Sequence, residues 1–213
     1  MRLTLMHATV LAGALLTLPA GALAAEGAAS SQAARDGGKG VPEVLGFVEW
    51  AMLEDGRIRM KARMDTGAKT SSLHAENIEE FDRDGDRWVR FQIPLGDHDD
   101  VPSDGDLKPE DVVLKFERPV RRTVLIKRKG AEPQRRYVVD MDFCIAGTVH
   151  TTQFSLADRS AFSYPMLLGR RFMGKDNILI DSSDSFLAKK ECKYLPLGKI
   201  VREYKDNVVK PRP

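Results

Sequence analysis

The stretch Ile58-Arg59-Met60-Lys61-Ala62-Arg63-Met64 leads directly into Asp65-Thr66-Gly67. Apolar and polar residues alternate along its first seven positions, which predicts a β-strand with one buried face. The predicted strand ends in a carboxylate, and the glycine two residues later lets another stretch of backbone approach closely. The sequence therefore predicts that the carboxylate of Asp65 is held in a fixed position at a strand end.

The composition is that of an ordinary globular protein. The chain has 213 residues, of which 42% are hydrophobic and 30% are charged, and its formal net charge is +2. This length suits one domain with a real core. The near-neutral charge argues against nucleic acid as a partner.

The first 24 residues have the pattern of a signal peptide. Arg2 precedes an apolar run from Ala8 to Leu18, and Ala22-Leu23-Ala24 fits the small-residue rule for cleavage before Ala25. The apolar run is too short to span a bilayer comfortably, and an uncleaved anchor is the alternative. We expect an exported protein of the periplasm, with no stable membrane span after cleavage.

Four segments follow from the pattern of the chain. They are a signal peptide at 1–24, a disordered linker at 25–40, a folded domain at 41–200 and a C-terminal tail at 201–213. The linker is small, polar and rich in glycine. Short strand patterns alternate with turns through the domain, and the only good helix pattern begins near Arg170. We predict an all-β closed barrel with one short C-terminal helix.

Two motifs resemble a known family. Residues 65–75 read Asp-Thr-Gly-Ala-Lys-Thr-Ser-Ser-Leu-His-Ala, and residues 164–172 read Tyr-Pro-Met-Leu-Leu-Gly-Arg-Arg-Phe. Both resemble the bacterial retropepsin-like aspartic peptidases, a family often labelled RimK-associated ATP-dependent zinc proteases. The resemblance extends from Gly46 to Leu187 and implies a retropepsin-like barrel.

The resemblance implies an endopeptidase that uses two aspartates. Two adjacent carboxyl groups share one proton, so that one activates the attacking water while the other polarises the peptide carbonyl. The chain has one Asp-Thr-Gly, so Asp65 would meet its copy on the axis of a homodimer. The expected substrate is a peptide or protein of the cell envelope, and no cofactor is expected.

The resemblance also implies roles around the catalytic aspartate. Thr66 would hydrogen-bond across the axis, and Gly67 would let the two turns approach. Gly169 would allow tight packing, and Arg170 would brace the fold or dimer through a buried, multidentate contact; an exposed arginine at a helix start is the alternative. Further support is expected from three loop residues, Ala68, Thr70 and Ser71.

Two features leave alternatives open. Asp181 follows an apolar strand pattern as Asp65 does, but Ser183 stands where glycine is expected. Asp181 is therefore interpreted as a turn residue, or as part of a terminal strand used for dimerisation, rather than as a second catalytic aspartate. The flap that would cover the substrate is placed at Lys127–Arg136.

The zinc and ATP parts of the family label have no support in the sequence. After the predicted cleavage site the chain keeps His74, His98 and His150, none in a His-Glu-x-x-His pattern. We expect His74 to be a packed or hydrogen-bonded residue and expect no metal. Gly67-Ala68-Lys69-Thr70 is similar to the end of a phosphate-binding loop, but Ala68 separates the glycine from the lysine. A non-catalytic peptide-binding module is the rival hypothesis, and a zinc-dependent protease is the third.

Cys144 and Cys192 are the only cysteines. An oxidising compartment would let them form a disulfide between a mid-chain strand and the C-terminal region. Two buried free thiols are the alternative, and we favour the bridge.

Overall fold

The computed structural model describes residues 40–128 and 130–209. The predicted signal peptide, and the predicted linker apart from Gly40, lie outside the described residues.

Strands dominate the described chain. In chain order they are β1 (Glu43–Gly46), β2 (Val48–Leu53), β3 (Ile58–Asp65), β4 (Ser71–His74), β5 (Glu76–Arg83), β6 (Asp86–Pro94), β7 (Val113–Pro119), β8 (Arg122–Arg128), β9 (Ala131–Ile145), β10 (Thr148–Ala157), β11 (Met166–Gly169), β12 (Ile178–Asp181) and β13 (Val208–Val209). The α-helices are α1 (Arg170–Lys175) and α2 (Leu197–Glu203), and short 3-10 helices cover Asp55–Arg57, Pro109–Asp111 and Lys205–Asn207.

The strands form three sheets. The largest has the order β10-β4-β11-β3-β2-β9-β8, and a further pairing of β9 with β10 connects six of its strands in a cycle. A second sheet has the order β13-β7-β6-β5, and β1 pairs with β12 in a third. The all-β prediction is confirmed. The strands do not form one closed barrel as predicted, because the second and third sheets and β8 lie outside the cycle.

The helices also differ from the prediction. The helix expected from Arg170 is α1, but α2 was not predicted, because its seven residues are too few to show a clear helical period. Leu197 and Ile200 bury the inner face of α2 in the core. Helix α2 crosses the expected boundary between domain and tail at 200, and β13 pairs with β7 beyond it.

The third strand places Asp65 as its sequence pattern predicts. Its apolar residues, among them Ile58, Met60 and Met64, are buried in the core, while the intervening basic residues are not. Strand β3 pairs antiparallel with β2 and parallel with β11. The β11 register sets Gly169 opposite Asp65, which brings the two family-like motifs side by side.

The C-terminal segment is tied to the sheet by a disulfide. Cys144 on β9 and Cys192 lie with their sulfur atoms 2.02 Å apart and their Cα atoms 5.9 Å apart. Within the described part of the chain, the helices are too short or too polar to cross a bilayer.

Candidate active site

The carboxyl group of Asp65 is fixed by the turn that follows it. Its Oδ1 accepts hydrogen bonds from the backbone N–H of Gly67 at 2.9 Å and of Ala68 at 3.0 Å. Asp65 is half-buried, whereas Thr66 and Gly67 are exposed. The chain therefore presents a rigidly held carboxyl group at a surface turn.

The second motif packs directly against this turn. The N–H of Gly169 donates to Oγ of Ser71 at 3.2 Å. A Cβ atom on Gly169 would lie 2.7 Å from the backbone carbonyl carbon and oxygen of Thr70, closer than non-bonded atoms can approach. Only glycine fits at this position without moving the turn.

Buried serines join the neighbouring strands behind the turn. Strand β4 pairs parallel with β10, with Ser71 opposite Phe154. Oγ of Ser155 donates to the carbonyl oxygen of Ser71, and Oγ of Ser72 donates to that of Ser155, both at 3.1 Å. Because these hydroxyl groups are buried and paired, they hold the two strands in one register.

Arg170 braces the turn from the start of α1. Its Nη1 donates to the carbonyl oxygen of Gly67 at 2.9 Å and to that of Thr66 at 3.4 Å. Its own N–H donates to the carbonyl oxygen of Ala68 at 2.9 Å. The contact is multidentate, but Arg170 is exposed in the single chain rather than buried as expected, because the carbonyl groups that it reaches lie on a surface turn.

Arg159 is a further charged group near Asp65 whose role the sequence did not reveal. It is 7% exposed, its Nε donates to the carbonyl oxygen of Tyr164 at 3.1 Å, and its guanidinium carbon lies 4.7 Å from the centre of the Phe162 ring. Burial lowers the pKa of Arg159, the positive charge of Arg136 lowers it further, and the carboxylate of Asp65 raises it. The site thus contains a buried cation within electrostatic range of Asp65.

His74 is buried between two elements that flank the site. Its Nδ1 accepts the backbone N–H of Arg159 at 2.9 Å, and its Nε2 lies 2.8 Å from Oδ2 of Asp97. Burial lowers the pKa of His74, although Asp97 and Asp158 act in the opposite direction and His98 lowers it further. This agrees with the expectation of a hydrogen-bonded histidine.

His74, Glu76 and Asp97 also lie close enough together to suggest a metal site, with potential ligand atoms within 4.8 Å of one another. A histidine that binds a metal through one nitrogen normally donates a proton from the other. Here Nδ1 faces the N–H donor of Arg159, so the proton resides on Nε2, where the ion would have to bind. The arrangement does not fit zinc.

Asp181 and the expected flap are the remaining candidates from the sequence. Oδ1 of Asp181 accepts the N–H of Ser183 at 2.9 Å and its hydroxyl at 2.5 Å, and these bonds lower the pKa of Asp181. This is the geometry of a turn residue. The described residues of the flap expected at 127–136 include the end of β8 and the start of β9, which pair antiparallel, and Leu125 on β8 is 70% exposed.

An all-β fold in which an Asp-Thr-Gly turn packs against a Leu-Leu-Gly-Arg segment, at the end of one strand and the start of a helix, defines a retropepsin-like protein. The profile of the RimB-like family, described as retropepsin-like aspartic endopeptidase RimB, matches residues 44–191, and the chain belongs to this family. The family resemblance of the two sequence motifs is thereby confirmed.

Similar proteins extend the comparison. Two curated relatives named probable alpha-L-glutamate ligase are each 34% identical to this chain, one from Desulfotalea psychrophila over 141 residues and one from Shewanella pealeana over 144 residues. The alignments cover 65% and 67% of this chain but 28% and 29% of those proteins, so the chain spans less than a third of their length.

A solved structure shares the fold. It is the crystal structure of a Legionella pneumophila protein with unknown function, 31% identical to this chain with a TM-score of 0.55. The match covers 69% of this chain and 98% of that one. The shared region therefore accounts for nearly all of the chain in that crystal structure.

Proposed function

We propose that this protein is an aspartic endopeptidase that works as a symmetric homodimer, with Asp65 of each subunit forming the catalytic pair. The observation that carries the proposal is the position of Asp65, whose carboxyl group is held by the N–H groups of Gly67 and Ala68 at the turn against which Gly169 packs. Membership of the retropepsin-like family supports it.

A second copy of the chain supplies what one copy lacks. The sequence contains one Asp-Thr-Gly, and its Thr66 and Gly67 are exposed in the single chain. The small β1–β12 sheet exposes apolar side chains as well, with Val44 50% and Leu179 56% exposed. Exposed strands with apolar side chains favour pairing with another chain, and a two-fold axis would bring the two Asp65 turns together.

The chemistry of such a pair needs only water. Two carboxyl groups at short distance share one proton because both cannot readily carry a charge. The ionised group removes a proton from the attacking water, while the protonated group donates a hydrogen bond to the peptide carbonyl. The N–H groups of Gly67 and Ala68 would keep each carboxyl group oriented through the reaction.

The basic surroundings of Asp65 favour acidic substrates. Arg159 and Arg136 lie within electrostatic range of one another, and Arg159 is in range of Asp65. Because Arg159 is buried and bonded to Tyr164, it would attract a substrate carboxylate through its charge rather than by direct contact. Relatives of this chain are named probable alpha-L-glutamate ligases, which supports a substrate that carries glutamate residues. The β8–β9 hairpin would act as the flap over this substrate.

Export sets where the reaction would take place. The signal-peptide pattern at 1–24 supports action in the periplasm on a peptide or protein of the cell envelope. Fractionation of cells, with N-terminal sequencing of the mature protein, tests this part separately. An N-terminus at Met1 in the cytoplasmic fraction would contradict it.

The decisive experiment compares the wild type with Asp65→Asn on glutamate-rich and glutamate-free peptides, from acidic to neutral pH, with and without EDTA. Asp181→Asn is the matched control, because Asp181 also ends a strand but accepts hydrogen bonds from Ser183. We expect cleavage by the wild type and the control, none by Asp65→Asn, and no effect of EDTA.

Analytical sedimentation of the same samples measures whether each protein is a monomer or a dimer. Full activity in Asp65→Asn would refute the aspartic mechanism, and activity lost with EDTA would assign a metallopeptidase. Peptide binding by a monomer without cleavage would assign the non-catalytic binding module.

A further inference from the structure

The loop between β10 and β11 carries Arg159 and is held by a residue from another strand. His74 lies 85 residues earlier in the chain, at the end of β4, and its Nδ1 accepts the N–H of Arg159 at 2.9 Å. His74 is 0% exposed, so water does not compete for this bond. The bond therefore fixes the backbone from which the Arg159 side chain projects.

The bond requires one tautomer of His74. A neutral imidazole has one N–H and one acceptor nitrogen, and Nδ1 is the acceptor here because it faces the N–H donor of Arg159. The proton must then be on Nε2, where Oδ2 of Asp97 accepts it at 2.8 Å. Asp97, from the loop after β6, selects the tautomer that can bind Arg159.

We infer that His74 is a positioning residue: its Nδ1 holds the backbone of Arg159 and so places the Arg159 guanidinium near Asp65, while Asp97 fixes the required tautomer. Nε of Arg159 and the carbonyl oxygen of Tyr164 fix the other end of the same side chain. The inference rests on the proposed function only for its consequence in catalysis.

The arrangement is sensitive to acid. Protonation of Nδ1 would replace an acceptor with a second donor, and the bond to Arg159 would be lost. The charged and titratable groups that face His74 come from three elements: Asp97 and His98 from the loop after β6, Glu76 from β5, and Asp158 with Arg159 from the loop after β10. The carboxylates of Asp97 and Asp158 oppose the effect of burial on the pKa of this histidine.

Nuclear magnetic resonance tests the bond directly, without any need for activity. In the wild type at neutral pH we expect the ¹⁵N shift of an unprotonated nitrogen at Nδ1 of His74, and a scalar coupling between this nitrogen and the amide nitrogen of Arg159. Both should disappear together as His74 takes up a proton. A coupling that survives protonation, or a proton on Nδ1 at neutral pH, would overturn the inference.

Two variants separate the nitrogens of His74. The amide oxygen of asparagine can replace Nδ1 as the acceptor, whereas the longer glutamine side chain reaches towards Asp97 in place of Nε2. We expect His74→Asn to retain the hydrogen-exchange protection of the Arg159 amide, and His74→Gln to lower it by about tenfold, the value of one hydrogen bond. His150→Asn is the control, because His150 contacts Asp176 and not Arg159.

Measurements of peptide cleavage test the consequence of this inference for catalysis. Where the wild type cleaves peptide, His74→Gln should lower kcat more than it raises KM, and His74→Asn should restore most of the loss and remove the response to acid. Equal exchange protection of Arg159 in both variants would overturn the inference, whether or not any peptide is cleaved. Absence of cleavage by the wild type would count against the proposed function only.

Discussion

Gly169 and Thr70 lie so close that no side chain fits between them. A Cβ atom at Gly169 would stand 2.7 Å from the backbone carbonyl carbon and oxygen of Thr70. The parallel pairing of β11 with β3 sets the same glycine opposite Asp65. The approach of the two backbones therefore determines the distance between the Asp65 turn and the second motif.

We expect Gly169→Ala to destabilise the protein by about 1–3 kcal/mol, because the added methyl group forces the two backbones apart. Cleavage should fall more than stability alone explains, since the turn that moves carries Asp65. Gly174→Ala is the matched control, because a Cβ at Gly174 meets no atom within 4 Å. Urea unfolding and peptide cleavage measure both effects; equal stability in the two variants would contradict the prediction.

Arg170 should matter for activity more than for stability. Its Nη1 spans the carbonyl oxygens of Gly67 and Thr66, but the side chain is exposed, so its loss leaves few buried groups unpaired. We expect Arg170→Met to lower kcat by about tenfold or more through displacement of the turn. Arg171→Met removes a neighbouring exposed arginine, and a similar loss in that control would refute a specific role for Arg170.

Local patterns in the sequence predicted one part of the site. The alternation from Ile58 to Met64 specifies which face of β3 is buried, and it thereby places Asp65 at the strand end. The same patterns do not specify which strands pair. The parallel pairing of β11 with β3 joins segments that are distant in the sequence. Before the structure was known, only the family resemblance placed Gly169 at the site. For the same reason, the sequence predicted the all-β fold class but did not predict that the strands divide into three sheets.

The sequence did not predict the polar contacts between distant segments. Nothing near His74 in the sequence indicates that its imidazole will meet the N–H of Arg159, because the contact depends on the parallel pairing of β4 with β10. The proximity of Arg159 to Asp65 is missed in the same way. The position of Arg159, two residues after the end of β10, was the only signal available in the sequence.

Stability should depend on pH through His74. Burial lowers the pKa of His74 from its ordinary value of 6.5, so the unfolded chain takes up this proton at a higher pH than the folded chain does. The contribution of His74 to stability is therefore complete above pH 6.5 and is lost as the pH falls below it. His74→Asn should remove this part of the slope. Urea unfolding at several pH values measures it, and parallel curves for the two proteins would contradict the prediction.

The disulfide should contribute substantially to stability. It closes a loop with a sequence separation of 48 residues, for which the chain-entropy estimate is about 4 kcal/mol. We expect the double variant Cys144→Ala and Cys192→Ala to lose most of this value in urea unfolding. A reductant should lower the stability of the wild type but not that of the double variant. Equal sensitivity of both proteins to the reductant would show that the effect has another origin.

Replacement of Glu49, a buried carboxyl group outside the site, should lower the stability of the fold. It is 1% exposed on β2, where Oε1 accepts the N–H groups of Gly46 and Leu187, each at 2.7 Å, and Oε2 accepts that of Ala188 at 3.4 Å. Glutamine would turn one acceptor into a donor that faces another donor, so we expect Glu49→Gln to cost about 1–3 kcal/mol.

The exposed Glu43→Gln is the control for Glu49→Gln, and urea unfolding compares the two variants. Hydrogen exchange should locate the effect, because the amides of Leu187 and Ala188 lose their acceptor while those in the centre of β3 keep theirs. This segment leads to Cys192, so reduction of the disulfide should add to the loss of protection at Leu187. Unchanged exchange at both amides in Glu49→Gln would mean that Glu49 does not hold the segment.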